Sequence, residues 1–128
     1  MIYVDTSVVL AELFAEDRHP DPAFWRQEIV SSRLLEYETW TRINARGLAR
    51  SHGEAAEALL ASIAIVELSR SVLERVRHPF PKPVRTLDAI HLASLEFLRE
   101  RGVVCPLATY DERQVASARA SGIELLEP

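Results

Sequence analysis

The sequence is poor in several things that would each open a class of function. It has one cysteine, Cys105, so an internal disulfide or a thiolate half of a metal centre is excluded. That cysteine lies in the apolar run VVCPLA and reads as an inert core residue. No uncharged apolar run approaches the roughly 18 residues needed to cross a bilayer, and the start MIYVDTS lacks a basic region ahead of a secretory core. The expectation is a cytoplasmic protein with no membrane contact. Net positive charge is also missing: at −4 the chain cannot hold nucleic acid by overall charge, which leaves only a local basic rim. Lysine is nearly absent. Of the 15 basic residues only Lys82 is lysine, so cationic contacts fall to arginine, whose planar fork suits phosphate but whose abundance also follows from genome composition. The four histidines, His19, His52, His78 and His91, show no zinc-ligand spacing with one another or with Cys105.

What is present is an ordinary globular balance, 48% apolar and 27% charged, in a length that fits one domain over residues 1–128. Short β-like runs alternate with helical segments, and there is no repeat or low-complexity tract. MIYV reads as a strand ending at Asp5, and SVVLAELFAED as a helix, with Val9/Leu13 and Leu10/Phe14 at helical spacing. Pro20 and Pro22 confine HPDPAFWR to a turn and a short helical piece. EIVSS is a candidate strand. SRLLEYETWTRINARGLAR follows as a long helix interrupted near Gly47, and SHGEAAEALLASI as a helix opened by the capping pair Ser51 and Glu54. AIVELS is strand-like, and SVLERVRH repeats the capping pair as Ser71 and Glu74. Pro79, Pro81 and Pro83 make HPFPKPVR an extended connection. The helix of RTLDAIHLASLEFLRERG takes Thr86 as N-cap and ends at Gly102. VVCPLATY gives a strand stopping at Asp111, DERQVASARAS a short helix, and IELLE a last strand. This alternation predicts an α/β domain, a mostly parallel central sheet flanked by helices.

Four carboxylates stand out. Asp5 and Asp111 each follow a strand and precede a helix, the rim where parallel sheets bind ligands. Each is also read as a plain helix cap, and Asp111 with Gln114 has the spacing of a capping pair. Glu38 shares its helix face with the apolar Leu34 and Leu35, with Arg42 one turn along; an ion pair with Arg42 on a solvated face is the bland account, worth only about 0.3–0.5 kcal/mol. Asp88 is the clearest anomaly, an acid aligned with Leu92 and Leu95. The helix dipole favours it by roughly 0.3–1 kcal/mol, less than the several kcal/mol that burying an unpaired ion costs. Gathered acids repel one another unless a divalent cation offsets their charge, and all-oxygen ligands select magnesium or manganese. His91, three residues after Asp88, reads more simply as a histidine satisfied within helix packing.

With these segments in view, VDTSVVLAEL, SSRLLEYETWTR, RTLDAIHLASL and LATYDERQ, the chain resembles a PIN-domain protein, and in particular a VapC-type toxin. The resemblance spans nearly the whole chain. It implies an acidic cluster at Asp5, Glu38, Asp88 and Asp111 holding one or two Mg²⁺ or Mn²⁺ ions, with Asp111 the least secure ligand because Gln114 stands where an apolar residue is expected. It implies small hydroxyl positions at Thr6, Ser7 and Thr109 that orient carboxylates or water, and a basic residue, Arg85, before the third acid. Arg42, Arg46 and Arg85 are the candidate contacts to RNA. The activity implied is metal-dependent endoribonuclease cleavage leaving a 5′-phosphate and a 3′-hydroxyl. The implied partners are an RNA substrate, a cognate VapB-type antitoxin whose tail crosses the acidic site, and a second copy of the chain. Two other classes stay open. A phosphoaspartate receiver or aspartate phosphatase needs a second acid or a late lysine, where this chain has Ser7 and Lys82. A catalytically inactive PIN-like module would bind RNA or protein through the same fold.

Overall fold

The computed structural model describes residues 1–128. Its centre is Ile2–Val4 (β1), three residues buried on both faces, as a parallel strand covered by helices on either side must be. That is why IYV is a continuous apolar run and not an alternation. The chain continues through Thr6–Leu13 (α1) and a single 3-10 turn at Phe24–Arg26 into Ile29–Ser32 (β2). Leu34–Ala45 (α2) and Ala49–Ala61 (α3) lead to Ala64–Val66 (β3). Arg70–Val76 (α4) and Thr86–Glu100 (α5) lead to Leu107–Ala108 (β4), then Glu112–Ala120 (α6) and Leu125–Leu126 (β5). All four strand pairings are parallel, in the order β3-β2-β1-β4-β5. The mostly parallel sheet predicted from the alternation is present.

The strand order places the site. From β1 the chain winds outward to β2 and β3, then returns to the other side of β1 for β4 and β5. The crevice of such a sheet opens at the carboxyl ends of the strands where the winding reverses, here between β1 and β4. Tyr3 pairs in register with Val30 on one side and Leu107 on the other, so these three share a face. They pack with Val72, Leu92, Leu95 and Ala118, which puts α4, α5 and α6 on that face. Ile2, Val4 and Ile29 alternate to the opposite face and pack with Val8, Val9 and Leu35 of α1 and α2. Cys105 is buried in the first of these clusters, as its apolar run predicts.

Three predicted helix starts are displaced. The Ser51–Glu54 pair does not open α3, which begins at Ala49 behind Leu48 with no side-chain cap; Ser51 Oγ donates back to the Leu48 carbonyl at 3.3 Å. Ser69, not Ser71, caps α4 by accepting from the Val72 amide at 3.3 Å, and Glu74 pairs with Arg77 at 3.2 Å instead of reaching back. Thr86 is the first residue of α5, with Arg85 at the boundary and no side-chain cap. Serine, threonine and glutamate at cap spacing recur inside helices, so the pattern alone leaves the start free by two residues.

The break expected near Gly47 is real and has a local cause. Gly47 sits at φ +65°, left-handed backbone that separates α2 from α3, and a Cβ there would meet nothing within 4 Å. Gly47→Ala therefore isolates backbone strain from clash. It is expected to cost about 1 kcal/mol, lowering Tm by roughly 3–5 °C in thermal unfolding without loss of helicity.

Candidate active site

Asp5 holds the junction between β1 and α1. Its backbone is extended (φ −93°, ψ 179°) and its Oδ1 accepts from the Ser7 amide at 3.1 Å and the Ser7 hydroxyl at 2.5 Å. Oδ2 accepts from the Thr109 hydroxyl at 2.5 Å. The capping role is thus present, yet the carboxylate is only 5% exposed and borders an open cavity. The same two hydroxyls receive amides of the next turn: Tyr110 N–H donates to Ser7 Oγ at 2.9 Å, and Asp111 N–H to Thr109 Oγ1 at 3.0 Å. So Ser7 and Thr109 latch the ends of β1 and β4 together through Asp5. Burial pushes the Asp5 carboxyl above its ordinary range, and the charge His91 can carry and the hydrogen bonds from Ser7 and Thr109 offset this only in part.

Glu38 reaches the same place from α2. Its Oε1 accepts from the Thr6 hydroxyl at 2.6 Å and lies 2.8 Å from His91 Nε2, while no protein group bonds its Oε2. Burial pushes this carboxyl up, but the His91 hydrogen bond and charge, the Thr6 bond and the Arg42 charge together outweigh it, and the net direction is down. Asp88, in the first turn of α5, is half-buried. Burial first, and then the neighbouring charge of Asp111, hold its carboxyl above the ordinary range, with Glu38 adding to the repulsion. Asp111 caps α6, its Oδ1 accepting from the Arg113 amide at 2.9 Å.

All four acids, with Thr6, Ser7, Arg42, Arg46 and His91, line one cavity of about 470 Å³. They come from four different strand-to-helix or helix segments, and the fold brings them to the crevice where its winding reverses. Arg46 lies over the Phe14 ring at 4.2 Å, which fixes a cation on the rim. Arg42 forms no ion pair with Glu38; it acts on it through charge alone. Arg85, the third candidate RNA contact, is exposed at the start of α5, outside the cavity lining. Gln114 is a correction, for it does not cap α6 reciprocally. It is fully buried, and its Nε2 donates to the Asp88 carbonyl at 3.2 Å, tying α6 to the first turn of α5.

His91, which the sequence reads as satisfied within helix packing, and Tyr3, to which it gives no role, both belong to the site. His91 is not satisfied within its own helix; its ring joins Glu38 to the hydroxyl of Tyr3, 2.9 Å from Nδ1. Its position three residues after Asp88 was the available signal. Tyr3 offered none, being one apolar residue in an apolar strand.

In kind, the donors suit a hard divalent cation: four carboxylates on one cavity, with Asp88 raised by burial first and by the charge of Asp111 second. In geometry the set is open, since no three histidine, cysteine or acidic side chains stand close enough to close on one ion. Asp5, Glu38 and Asp111 are held by hydrogen bonds, whereas the Asp88 carboxylate has none to the protein and is the freest of the four to turn toward an ion.

A family model for the PIN domain matches residues 2–119. Across 134 aligned residues the chain is 29% identical to ribonuclease VapC46 of Mycobacterium tuberculosis, over 99% of this chain and 97% of the relative. It is 28% identical to ribonuclease VapC47 of the same species, over 100% and 97%. In shape it is similar to M. tuberculosis VapC20, a sarcin-ricin loop cleaving toxin, with a TM-score of 0.69, 24% identity and full coverage of both chains. It is also similar to a chain of a toxin–antitoxin complex from Klebsiella pneumoniae, with a TM-score of 0.65, 18% identity and 94% of each chain covered. These two structures speak for the shared fold. No helix here is long and apolar enough to cross a membrane.

Proposed function

Because the chain belongs to the PIN-domain family, we propose that it is a metal-dependent endoribonuclease, the toxin of a toxin–antitoxin pair, with residues 1–128 as one nuclease domain. One observation carries the reading: Asp5, Glu38, Asp88 and Asp111, up to 106 positions apart in the chain (111 − 5), line a single cavity at the sheet's reversal point, with Arg42 and Arg46 beside them. The ribonuclease names of the relatives agree with it.

Asp5, Glu38 and Asp88 would hold Mg²⁺ or Mn²⁺, with Asp111 contributing directly or through water. When bound, such an ion supplies Lewis acidity at a phosphoryl oxygen and a water of lowered pKa. The chain's own residues do the rest. Ser7 and Thr109 keep both Asp5 oxygens fixed, and Thr6 fixes Glu38. A carboxylate of Glu38 or Asp88 takes the proton of the attacking water. Arg42 and Arg46 seat the RNA backbone against the cavity, so that the scissile phosphate lies over the acids. The products are a 5′-phosphate and a 3′-hydroxyl.

The further parts of the reading are a cytoplasmic homodimer and a VapB-type antitoxin whose tail enters the acidic cavity with a cationic side chain, competing with metal for the same carboxylates. The open ligand geometry is the observation that favours the other class, a binding module without catalysis. Incubating the purified chain with total RNA, with Mg²⁺ or with chelator, and sequencing 5′-phosphate ends separates them. Discrete new ends that vanish in chelator support the nuclease; RNA retention with no new ends under either condition supports the module.

The rim carries its own test. Replacing Arg42 and Arg46 together by glutamine removes two phosphate contacts, so the slope of log K against log salt for single-stranded RNA is expected to flatten by about 1.4, at roughly 0.7 per contact. Arg85→Gln is expected to leave that slope unchanged.

A further inference from the structure

His91 stands in a chain of contacts that crosses the molecule. It begins at the Tyr3 hydroxyl on β1, passes through Nδ1 at 2.9 Å and Nε2 to Glu38 Oε1 at 2.8 Å on α2, and ends at the Thr6 hydroxyl on α1. The imidazole is 3% exposed, and its ring meets the Tyr3 ring edge-on with centroids 5.9 Å apart. The proton order follows from chemistry. A carboxylate only accepts, so Nε2–H donates to Glu38; in the neutral imidazole the lone pair on Nδ1 accepts from Tyr3, and in the imidazolium Nδ1–H donates to the Tyr3 oxygen while the bond to Glu38 is unchanged. Burial pushes the Tyr3 phenol far above its usual value, so it keeps the proton it donates.

The arrangement at Glu38 is asymmetric. Both the Thr6 and His91 bonds fall on Oε1, and none falls on Oε2. A glutamate on a half-exposed helix face has three side-chain torsions to wander through, and these bonds to one oxygen remove that freedom while leaving the other oxygen to the cavity. We propose that His91, oriented by Tyr3, is a positioning residue that holds Glu38 with Oε2 presented to the cation. This rests on the metal reading above and adds to it the residues that set the Glu38 carboxylate. His91 touches no substrate atom in this role; it acts through Glu38.

The test compares His91→Leu, His91→Gln and Tyr3→Phe in the full chain, with Mn²⁺ alone as the titrant in calorimetry and circular dichroism and metal-free Tm as checks of folding. Gln can keep an N–H near the position of Nε2, and Leu cannot. Leu is expected to weaken Mn²⁺ binding roughly 10–100-fold, Gln to restore it to within about threefold of wild type, and Phe to cost about 3–10-fold. A folded Leu variant with wild-type affinity, or a Gln variant no better than Leu, overturns the proposal. If Leu does not fold, Tyr3→Phe decides: undiminished affinity in that folded variant overturns it. A wild type that takes up no Mn²⁺ refutes the metal reading instead. In that event the imidazole ¹⁵N spectrum of the metal-free protein decides the positioning claim: an Nε2–H tautomer whose shift moves in Glu38→Gln supports the hold on Glu38, and an Nδ1–H tautomer overturns it.

Discussion

Asp5→Asn is expected to lower RNA cleavage about a thousandfold or more while leaving the fold intact. Asparagine is nearly isosteric and is as good a helix N-cap as aspartate, so Oδ1 can keep the Ser7 amide and hydroxyl bonds that start α1. The new Nδ2 faces Thr109 Oγ1, which can accept where it previously donated. What disappears is the negative charge at the most buried of the four acids. Several kcal/mol of charge stabilisation at a metal site corresponds to three or more powers of ten in rate at 1.36 kcal/mol each. Single-turnover cleavage of labelled RNA measures the loss, and metal-free Tm is expected to stay level or rise, since a carboxyl whose pKa burial raises is relieved of its cost. A variant cleaving within tenfold of wild type removes Asp5 from the chemistry. Alanine is a poorer choice, because it also loses the cap, worth about 1 kcal/mol.

The acids could be found in the sequence because each leaves a local trace. Asp5 and Asp111 end apolar runs that turn into helices, and Asp88 interrupts an apolar face, but each also reads as a helix cap or a first-turn acid, and their assignment to one cluster is what the resemblance implies. Glu38 follows from which neighbours lie three and four residues away. The network around them is not local. Thr109 reaches Asp5 across 104 positions, His91 reaches Glu38 across 53, and Tyr3 reaches His91 across 88, and nothing in the spacing of any one segment encodes such pairs. The same limit explains Gln114. In sequence it is a capping partner three residues after Asp111, but only the packing of α6 on α5 shows that its amide is better spent inside, on the Asp88 carbonyl. Strands are shorter than their apolar runs for a related reason. VVCPLATY is apolar throughout, yet only Leu107 and Ala108 pair as β4, since ladder extent is set by the neighbouring strands and not by hydrophobicity.

The metal-free protein is expected to lose stability as pH rises, and divalent cation to reverse this. Folded Asp5 and Asp88 have pKa values raised above the ordinary 3.8, so over the interval above 3.8 the folded state binds more protons than the unfolded one. The slope of unfolding free energy with pH is then negative across that interval. Glu38 runs the other way, being lowered from 4.5, but its contribution is complete above 4.5 and is lost only as pH falls through its folded value. Above 4.5 the aspartates are the ones of these three still titrating, and Tm in chelator should fall as pH is raised through their folded pKa values. Mn²⁺ at a hundred times its Kd adds about 2.7 kcal/mol, or roughly 10 °C for a chain of this size. Asp88→Asn removes one of the repelling charges and one ligand together. Its metal-free Tm should equal or exceed wild type near neutral pH, while its Mn²⁺ shift falls below about 3 °C in thermal scanning with and without the ion. A residue serving only the fold would lower Tm in both conditions. Opposite signs, from one atom exchanged in one side chain, require that the carboxylate be a burden on the empty cavity and a ligand in the filled one.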